Sequence, residues 1–498
     1  MAPDGEEVAA IMARAKDSRE YIAALEQLGD VRHVDTEVPQ GLEIGAFIRR
    51  SYETRAPAPL FNDISGTEPG FRLFGAPGAL SSVPGSPLAR IALSLGMSPD
   101  AGAREIVQEL AQARDRDPIA PKQVESAPCK QHVLLGEDAS LAKFPTPLLH
   151  EGDGGPYVNT WGTIVVRSPE GDWVNWSIAR IMMLDDKHLT GLVMRPQHIE
   201  KAWRMWAERG EPMPFALVQG GDPALPFISG MPLPDDVDEP GFLGALFGEP
   251  MEVVPAETVD LQVPAGAEIV IEGHVSVERN ADEGPMGEYA GYAPAETTRQ
   301  PTYTIEAITH RDRPIWPTVV EGEPVDEFHT ATGLTMAAEV YALLRRAGLP
   351  VVTAWSPFES ASHVLVVSAR SDWRAQLPGV SSAELTRRIS ETIGGFRSEH
   401  LIPRTFVLDA DVEPSNTAEL TWALATRCHP EDFRVLRHGE ILPLLTCYTP
   451  EERHAQRGTK VVHDCLLPAE GAGRERRSSF RHIYPEQVQR WVEQHWDR

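Results

Sequence analysis

The N-terminal quarter of the chain combines helical periodicity with loops. Apolar residues recur at helical spacing in EEVAAIMARAKDSREYIAALEQLGD, residues 6–30, which predicts a helix that ends near Gly29. The stretch GLEIGAFIRRSYE, residues 41–53, predicts a second helix. Residues 56–88 are rich in proline, glycine and serine and predict loops with short strands. Residues 113–131 are polar and marked by prolines, so we place a first domain boundary there.

Between residues 132 and 320 the hydrophobic pattern changes to that of strands. β-Branched and aromatic residues are concentrated in four stretches, at residues 161–166, 174–184, 267–278 and 301–311. One helix, HIEKAWRMWAERG, interrupts these stretches and is predicted to stop at Gly210. This part of the chain is therefore predicted to be a β-rich domain.

From about residue 330 helices and strands alternate. Residues 333–350 predict a helix that ends at Gly348. The stretch SSAELTRRISETIGG predicts another helix, which starts with a capping box formed by Ser381 and Glu384. Strands are predicted between them and after them, at residues 363–370 and 404–412. Such alternation is typical of an α/β domain.

The three patterns together predict an α/β (α+β) fold with three domains. Their predicted bounds are 1–125 for an N-terminal α/β domain, 126–320 for the β-rich domain and 321–498 for a C-terminal α/β domain. Pro485 marks the start of a last helix, which we expect to dock on the C-terminal domain.

Length and charge narrow the function. With 498 residues the chain is too long for one hydrophobic core. Acidic residues outnumber basic ones by 73 to 46, and the net charge of -27 argues against nucleic acid or an anionic membrane as the main partner. No apolar run is long enough to span a membrane, and the charged N-terminus lacks the apolar core of a signal peptide.

The cysteines indicate a reducing compartment. The four residues, Cys129, Cys428, Cys447 and Cys465, form neither a CxxC pair nor an even framework. We therefore expect free thiols and a cytoplasmic location.

Two glutamates flank a stretch that disfavours helix. In ADEGPMGEYAGY, Glu283 and Glu288 lie on either side of Gly284, Pro285, Met286 and Gly287. A tight loop that holds both carboxylates close together would separate their pKa values, which suits acid–base chemistry. A plain surface loop is the alternative.

Polar residues also interrupt the strand VNWSIAR. Asn175 and Ser177 would share one face of this strand, and Arg180 would lie on the other face unless a bulge intervenes. Buried polar groups must be hydrogen-bonded and buried charges paired. The alternative is an edge strand whose polar residues face water.

Two further residues complete a candidate metal site. Gln197 and His198 lie at the start of the helix HIEKAWRMWAERG, where a histidine could ligate a metal or simply pack. Glu239 follows a proline-rich acidic loop and precedes an apolar, glycine-marked turn. Asn175, His198 and Glu239 together suit Mn²⁺ or Mg²⁺ bound to a phosphate. A packed histidine and an acidic surface loop are the alternatives.

Common catalytic signatures are absent, but an ordered set of motifs is recognisable. The sequence has no GxGxxG, GxxxxGK[ST], HExxH or GxSxG. It does contain GGPYVNTWGT, NxSxxR, PQHI, a glutamate before GALFGEP, EGPMGEYAGY, HLIPRTFVLDADV, WALATRCHP and GTKVVHDCLLP, in that order. This set, over roughly residues 30 to 498, resembles the UbiD family of reversible decarboxylases, and WALATRCHP and GTKVVHDCLLP resemble its ferulic acid (phenylacrylic acid) decarboxylase branch.

The resemblance implies a cofactor, two ions and a central domain like a split barrel that binds flavin. The cofactor would be prenylated FMN, held by a divalent metal, Mn²⁺ or Mg²⁺, with K⁺ nearby. The divalent ligands would be Asn175, His198 and Glu239. The K⁺ site would use Trp176, Ser229, Met231 and Glu239. The positions that match cofactor contacts are Thr160, Asn175, Ser177, Ile178, Ala179, Arg180, Gln197, His198, Met231, Pro232, Glu239 and Arg397.

The resemblance also implies an activity. The family decarboxylates α,β-unsaturated or aromatic acids, reversibly and without oxidation, through a covalent adduct with the cofactor. Its catalytic Glu-Arg-Glu network corresponds here to Glu283, Arg180 and Glu288. Arg180 would orient the substrate carboxylate, Glu288 would protonate the product carbon after CO₂ leaves, and Glu283 would tune the network. A flavin prenyltransferase would supply the cofactor, and the chain would form a homodimer or larger homo-oligomer through its C-terminal domain.

Two departures bear on the substrate. Phe328 lies where the family's pyrrole-type decarboxylases carry an asparagine, which predicts an apolar pocket wall and an extended apolar acid. Packing of Phe328 in the core is the alternative. Arg397 lies about where relatives carry lysine or histidine, and could anchor a second carboxylate, pair with the flavin phosphate, or form a salt bridge. The pocket is expected to include Leu192, Met194, Met286, Phe328, Ile441 and Leu442.

Three other functions stay open at this point. The substrate could be a heteroaromatic acid of the pyrrole or phenazine type. The chain could be a subunit or chaperone that binds flavin without turnover, although the complete Glu-Arg-Glu set argues against this. It could also be an unrelated metal-dependent hydrolase that uses Asn175, His198 and Glu239 without flavin.

Overall fold

The N-terminal segment pairs helices with short strands. A computed structural model of the chain describes residues 14–235, 237–294, 296–469, 475 and 477–496. The first half of the predicted opening helix, residues 6–13, lies outside these ranges. The helix that follows begins at Ser18 because the Asp17 carboxylate accepts hydrogen bonds from the N–H groups of Arg19 and Glu20. The elements of this segment are α1 Ser18–Gln27, β1 Val31–Val34, α2 Leu42–Thr54, β2 Ala58–Phe61, β3 Arg72–Gly75, α3 Ala89–Ser94 and α4 Ala103–Ala113.

The central segment is dominated by strands. Its strands are β4 Lys122–Gln123, β5 His132–Leu135, β6 Tyr157–Asn159, β7 Thr163–Arg167, β8 Val174–Ser177, β9 Ile181–Met183, β10 His188–Gly191, β11 Met213–Gln219, β12 Glu252–Pro255, β13 Gln262–Pro264, β14 Ile269–Val275, β15 Ala281–Glu283, β16 Thr298–Gln300, β17 Thr302–His310 and β18 Ile315–Thr318. Its helices are α5 His198–Arg209, α6 Leu225–Ser229 and α7 Glu239–Phe247. Gly210, in the left-handed region at φ 72°, ends α5 as predicted.

The main sheet of the central segment curls. Its strand order is β6-β9-β10-β17-β14-β11-β7-β8, and β5 also pairs with β17. In a flat sheet β8 and β9 would be about 29 Å apart, at about 4.8 Å per strand. Only residues 178–180 join them, and these span at most about 15 Å. The two edges of the sheet must therefore approach each other, and residues 178–180 cross the gap.

This crossing corrects the strand predicted at residues 174–184. The chain leaves the sheet after Ser177, because β8 pairs with β7, and re-enters beside β6 and β10 as β9. A second correction concerns the turn predicted after Glu239, which is the helix α7. Its apolar residues are buried around the helix, and its glycines allow close packing, since a Cβ on Gly244 would lie 2.5 Å from the Ile119 carbonyl oxygen.

The C-terminal segment is an α/β unit, as predicted. Its elements are α8 Glu327–Arg346, β19 Val351–Trp355, β20 Val364–Ala369, α9 Trp373–Gln376, α10 Ser382–Ile393, β21 Arg404–Asp409, α11 Thr417–Arg427, β22 Phe433–Glu440, α12 Pro450–Ala455, β23 Arg457–Asp464, α13 Phe480–Ile483 and α14 Glu486–His495. The sheet order is β19-β20-β21-β23-β22. Ser381 accepts a hydrogen bond from the N–H of Glu384, which is one half of the predicted capping box.

The long helix α8 starts six residues before its predicted start. Asp326 caps it by accepting from the Phe328 N–H, and the His329 ring accepts from the Asp326 N–H. Phe328 therefore lies in the first turn of α8. This helix packs against α4 and β19, and one hydrophobic cluster runs from the central into the C-terminal segment.

The segments also share a sheet. The order β1-β2-β3-β18 places the last central strand, Ile315–Thr318, beside the N-terminal strands. The predicted α/β (α+β) class with a β-rich centre is confirmed. Within the described ranges, no helix has both the length and the apolar character needed to cross a bilayer.

Two predictions about the C-terminal segment are wrong. Cys428 and Cys465 form a disulfide, so these thiols are not free, whereas Cys129 and Cys447 are. The two half-cystines lie 37 residues apart in sequence, which hides the pair from any local pattern. The last helix, α14, has no buried residue, and the Trp491 side chain is 62% exposed, so α14 does not dock on its own chain.

Candidate active site

A cavity of ≈ 280 Å³ opens where the curled sheet meets the C-terminal segment. Its wall includes residues 177–180 of the crossing, the first turns of α5 and α7, the first turn of α8, and parts of the loops at 397–401 and 442–444. Most of the predicted cofactor and metal positions line this cavity: Thr160, Asn175, Ser177, Ile178, Ala179, Arg180, Gln197, His198, Ser229, Met231, Pro232, Glu239 and Arg397. Trp176 and Glu283 do not line it.

Asn175, His198 and Glu239 form one buried cluster. The Asn175 Nδ2 lies 3.1 Å from Glu239 Oε1 and 3.3 Å from His198 Nδ1. Asn175 is 1% exposed and Glu239 is 4% exposed, so neither a polar edge strand nor an acidic surface loop describes them. Glu239 is the first residue of α7, where the helix dipole favours a carboxylate.

Burial shifts both ionisable side chains of this cluster, Glu239 and His198, towards their neutral forms. Burial raises the pKa of Glu239 to about 7. Burial, followed by the charge of Arg397, lowers the pKa of His198 and favours the neutral ring. His198 Nε2 lies 2.6 Å from Asp235 Oδ1, so Nε2–H can donate there while Nδ1 keeps its lone pair towards Asn175. Metal-binding histidines are commonly oriented by such a carboxylate.

Three buried polar atoms of the cavity wall lack hydrogen-bond partners, which suits the binding of a polar group there. Asn175 Oδ1, Ser177 Oγ and Gln197 Oε1 are buried on this cavity without a hydrogen-bond partner. Each such atom costs about 1–3 kcal/mol if it stays unsatisfied. Arg397 lies on the same wall, and its Nη1 donates to the Leu233 carbonyl at 2.6 Å. Oxygen acceptors, a neutral histidine and a nearby guanidinium suit a phosphate bridged by a hard cation.

The metal assignments themselves stay predictions. Among the described residues no group of three or more His, Cys, Asp and Glu could hold a metal ion, since the cluster contains only one histidine and one carboxylate beside an amide. For the predicted K⁺ site, the Ser229 carbonyl accepts from the Ile178 N–H at 3.3 Å. The Trp176 N–H donates to Glu239 Oε2 at 3.0 Å. The indole of Trp176 points into the core, so only its backbone is close to this site.

Arg180 joins the two glutamates. Its Nε and Nη2 donate to the two carboxylate oxygens of Glu283, at 2.9 and 3.0 Å, and its Nη1 contacts Glu288 Oε1. The Tyr157 hydroxyl donates to Glu283 Oε1 at 2.9 Å. Because Arg180 ends the crossing between β8 and β9, its side chain can reach the same cavity as Asn175 and Ser177.

The glutamate loop is held against a second loop. The Gly154 N–H donates to the Pro285 carbonyl, and the Gly287 N–H donates to the Asp153 carboxylate. A Cβ on Gly154 would lie 2.0 Å from the Gly284 carbonyl oxygen, so this close approach requires glycine. The loop fixes Glu283 behind Arg180 and Glu288 on the cavity wall.

The charges around Arg180 keep it cationic and favour a protonated Glu288. Burial alone lowers the pKa of Arg180, but Glu288 and Glu283 outweigh it and the pKa is raised. Burial raises the pKa of Glu288, and Arg180 offsets only part of that rise. Glu288 is therefore a candidate general acid that touches the cavity.

The apolar wall agrees with four of the six predicted pocket residues. Leu192, Met194, Phe328 and Leu442 line the cavity, and the Phe328 ring stacks on Tyr289 with centroids 3.8 Å apart. Met286 and Ile441 do not line it. Met286 is 1% exposed and packs in the N-terminal cluster with Tyr157, because the loop turns it away from the cavity between the two glutamates. Ile441 is likewise buried, at 1% exposed.

Some lining residues were not predicted. They include Tyr289, Glu321, Glu327, Thr332, His400 and Leu444. Glu321 and Glu327 lie in the stretch TVVEGEPVDEFHTATG, where only Phe328 was singled out. Their position beside a turn rich in proline and glycine was the signal in the sequence that could have marked them as site residues.

Family comparisons cover most of the chain. The N-terminal domain of UbiD, 3-octaprenyl-4-hydroxybenzoate carboxy-lyase, matches residues 22–110. The Rift-related domain of the same family matches residues 122–324, and its C-terminal domain matches residues 329–465.

Individual relatives are similar over nearly the full length. The chain is 40% identical over 485 residues to the pyrrole-2-carboxylic acid decarboxylase of Pseudomonas aeruginosa, covering 97% of this chain and 98% of that protein. It is 35% identical over 466 residues to ferulic acid decarboxylase 1 of Saccharomyces cerevisiae, covering 91% and 92%.

Solved structures share the fold. The closed form of vanillic acid decarboxylase from Sedimentibacter hydroxybenzoicus matches with a TM-score of 0.82 at 26% identity, over 97% of this chain and 98% of that one. An evolved dimeric form of the UbiD-class enzyme HmfF from Pelotomaculum thermopropionicum, in complex with prFMN, matches with a TM-score of 0.77 at 25% identity, over 93% and 97%.

Proposed function

The chain belongs to the UbiD family, and from that membership we propose that it is a decarboxylase of an α,β-unsaturated or aromatic carboxylic acid that depends on prenylated FMN. One observation carries the proposal: Arg180 lies between Glu283 and Glu288 on the wall of a cavity that also exposes partnerless polar atoms. The solved HmfF complex with prFMN supports this choice of cofactor.

The chain's own residues would hold the cofactor through its phosphate. Asn175, His198 and Glu239 would hold a Mn²⁺ or Mg²⁺ ion, which would neutralise charge on the phosphate. Ser229 and the backbone of Trp176 and Met231 would hold K⁺. Ser177, Gln197 and Arg397 would contact the same group. When bound, the prenylated flavin supplies the electron sink that decarboxylation requires.

Arg180 and Glu288 would handle the substrate. The net reaction is RCOO⁻ + H⁺ → RH + CO₂. Glu283 fixes Nε and Nη2 of the Arg180 guanidinium, and Nη1 contacts Glu288 on the cavity wall. From this position Arg180 would orient the substrate carboxylate. After the C–C bond to CO₂ breaks, Glu288 would give its proton to the carbon that carried the carboxylate. Glu283, held by Arg180 and Tyr157, would set the orientation of the arginine.

The wall formed by Leu192, Met194, Phe328 and Leu442 favours an extended apolar acid. A heteroaromatic acid is a second candidate, because the chain is 40% identical to a pyrrole-2-carboxylic acid decarboxylase over almost its whole length. The two candidates predict opposite substrate preferences, which one panel of acids can separate.

We also propose a homo-oligomer that forms through the C-terminal segment. Trp491 on α14 and Phe433 on β22 are 62% and 47% exposed, and a second copy could cover them. Light scattering should give a multiple of the 54.8 kDa chain mass. A monomeric mass would contradict this proposal.

The activity test uses protein co-expressed with a flavin prenyltransferase. Cinnamic-type, polyenoic and pyrrole-2-carboxylic acids are incubated with it, and CO₂ and the decarboxylated product are measured. We expect turnover of at least one acid by wild type, and a loss of about 10²–10⁴-fold in kcat for Glu288→Gln. Full activity of Glu288→Gln would overturn the role of Glu288. Activity that survives removal of flavin would favour the metal-dependent hydrolase instead.

A further inference from the structure

A third carboxyl group lies in the cavity wall close to Glu288. Glu321 follows β18 and lines the same cavity as Glu288 and Arg180. Its side chain accepts a hydrogen bond from the backbone N–H of Tyr289, the residue directly after Glu288. Its own carbonyl accepts from His150 Nε2 at 2.8 Å. Backbone contacts on both sides therefore fix Glu321 beside the candidate acid.

The charges around Glu321 favour its neutral form. In the described part of the chain, no lysine, arginine or histidine forms an ion pair with its carboxyl group, and the Arg180 guanidinium already serves Glu283 and Glu288. Asp326 and Glu288 are the anions that face it. Desolvation, then the charges of Glu288 and Asp326, raises the pKa of Glu321 well above its ordinary value, against a smaller opposing effect of Arg180. These neighbours therefore favour the protonated form of the partly exposed Glu321 carboxyl group.

The reaction needs a proton in every turnover. Once Glu288 has protonated the product carbon, it is a carboxylate next to Arg180, which stabilises that charge. The same cavity wall carries the apolar side chains of Leu192, Met194, Phe328 and Leu442. Glu288 must take up a new proton before it can act again.

We propose that Glu321 is the proton-holding residue that reloads Glu288 between turnovers. The Glu321 O–H bond breaks and a Glu288 O–H bond forms, directly or through one water molecule, and Glu321 then takes a proton from solvent. This inference rests on the proposed decarboxylation, in which Glu288 is the acid. Glu321 acts through Glu288 and makes no contact with the reacting carbon.

Glu327 offers a matched control. It is a second unpredicted acid of the same cavity, fully buried, with a pKa that burial raises to about 7. Both of its oxygens are occupied, by the Tyr52 hydroxyl at 2.7 Å and the Gly78 N–H at 3.1 Å. Glu327 is therefore held by two hydrogen bonds away from Glu288 and serves as the structural comparison for Glu321.

The test compares the first turnover with later ones in the flavin-loaded enzyme. In Glu321→Gln the first turnover should proceed within about twofold of wild type, because Glu288 starts protonated, and later turnovers should slow by about tenfold or more. The solvent deuterium isotope effect on the later turnovers should increase. Glu321→Asp, which keeps an acid, should recover part of the rate. Glu327→Gln should slow the first and later turnovers by the same factor.

Three outcomes would contradict the relay. Equal slowing of first and later turnovers in Glu321→Gln would show a structural role, and unchanged rates would show none. A readout that does not need turnover is the infrared C=O band of protonated carboxylic acids, measured on flavin-free protein at pH 7. Glu321→Gln should remove intensity from this band, and an unchanged band would contradict a protonated Glu321.

The same experiment distinguishes a failure of the proposed function from a failure of the relay. If wild type decarboxylates no acid, the proposed function falls and the relay falls with it, whatever the infrared band shows. If wild type turns over but Glu321→Gln shows no burst, only the relay falls.

Discussion

Removing the Arg180 guanidinium should destabilise the protein in a pH-dependent way. The change to test is Arg180→Gln, which removes two charged hydrogen bonds of 2.9 and 3.0 Å to Glu283 and the contact with Glu288. The two carboxylates left behind are 1% and 5% exposed. Breaking a buried ion pair by removing one partner costs about 3–5 kcal/mol, and we expect a loss in this range at pH 8.

Protonation limits this loss at low pH. Without Arg180, the buried carboxylates lose the cation that offsets their desolvation, so the folded variant binds more protons than the unfolded chain. A group with a raised folded pKa contributes most stability below its unfolded pKa and loses that contribution as pH rises. The difference between wild type and Arg180→Gln should therefore grow from pH 5 to pH 8.

The assay is urea denaturation of the flavin-free protein at both pH values. Arg387→Gln is the control, because Arg387 also bonds two carboxylates, Glu384 and Glu391, but on the exposed surface of α10. Its denaturation midpoint should not change measurably. An Arg180→Gln midpoint equal to that of wild type at pH 8, or a loss that is the same at pH 5 and pH 8, would refute the reasoning.

Three further changes test other parts of the structure. Glu327→Gln should become more stable relative to wild type as the pH rises from 5 to 8, by at most about 3 kcal/mol. The reason is that burial raises the pKa of Glu327 from its ordinary 4.5 to about 7, so ionisation of Glu327 destabilises the folded wild type. Parallel pH profiles of the two proteins in urea denaturation would contradict this. Phe328→Asn removes the ring stacked on Tyr289 and should lower kcat/KM for extended apolar acids by about 10-fold relative to pyrrole-2-carboxylate, and an unchanged ratio would remove Phe328 from the specificity argument. Cys428→Ser opens a loop of 37 residues and should cost about 4 kcal/mol of unfolding free energy, measured against the oxidised wild type; equal stability would show that the disulfide does not form in solution.

Local signals in the sequence predicted the elements that depend on local contacts. The end of α5 at Gly210 follows from the left-handed conformation of that glycine, and the start of α10 follows from the Ser381 side chain. The start of α8 was missed because its cap pairs Asp326 with His329, whereas a capping box is normally recognised by Glu or Gln three residues on.

Features that depend on contacts between distant parts of the chain could not be predicted from short stretches of sequence. Nothing in VNWSIARIMML reveals that β8 and β9 belong to different edges of one sheet, yet that break brings Arg180 to the cavity. The glycines of α7 suggested a turn, but Gly244 serves close packing against Ile119, which lies far away in sequence. The pairing of Cys428 with Cys465 is equally non-local.

The candidate site was predicted mainly from the order of the motifs, because each motif alone also fitted a structural role such as a surface loop or an edge strand. The structure brings Asn175, His198 and Glu239 together and joins Arg180 to both glutamates. It places Met286 in the hydrophobic cluster with Tyr157 and not in the cavity wall. Glu321 was missed because its proximity to Glu288 depends on a contact with the backbone of Tyr289.

The central claim is that this cavity holds prenylated FMN through a divalent metal. Native mass spectrometry with an absorbance spectrum, on protein co-expressed with a flavin prenyltransferase, tests it most directly. We expect the mass of the chain plus prenylated FMN and Mn²⁺, together with a flavin absorbance band, and loss of both in His198→Ala. Folded, metal-loaded protein without flavin would contradict the account and would favour a hydrolase that uses Asn175, His198 and Glu239.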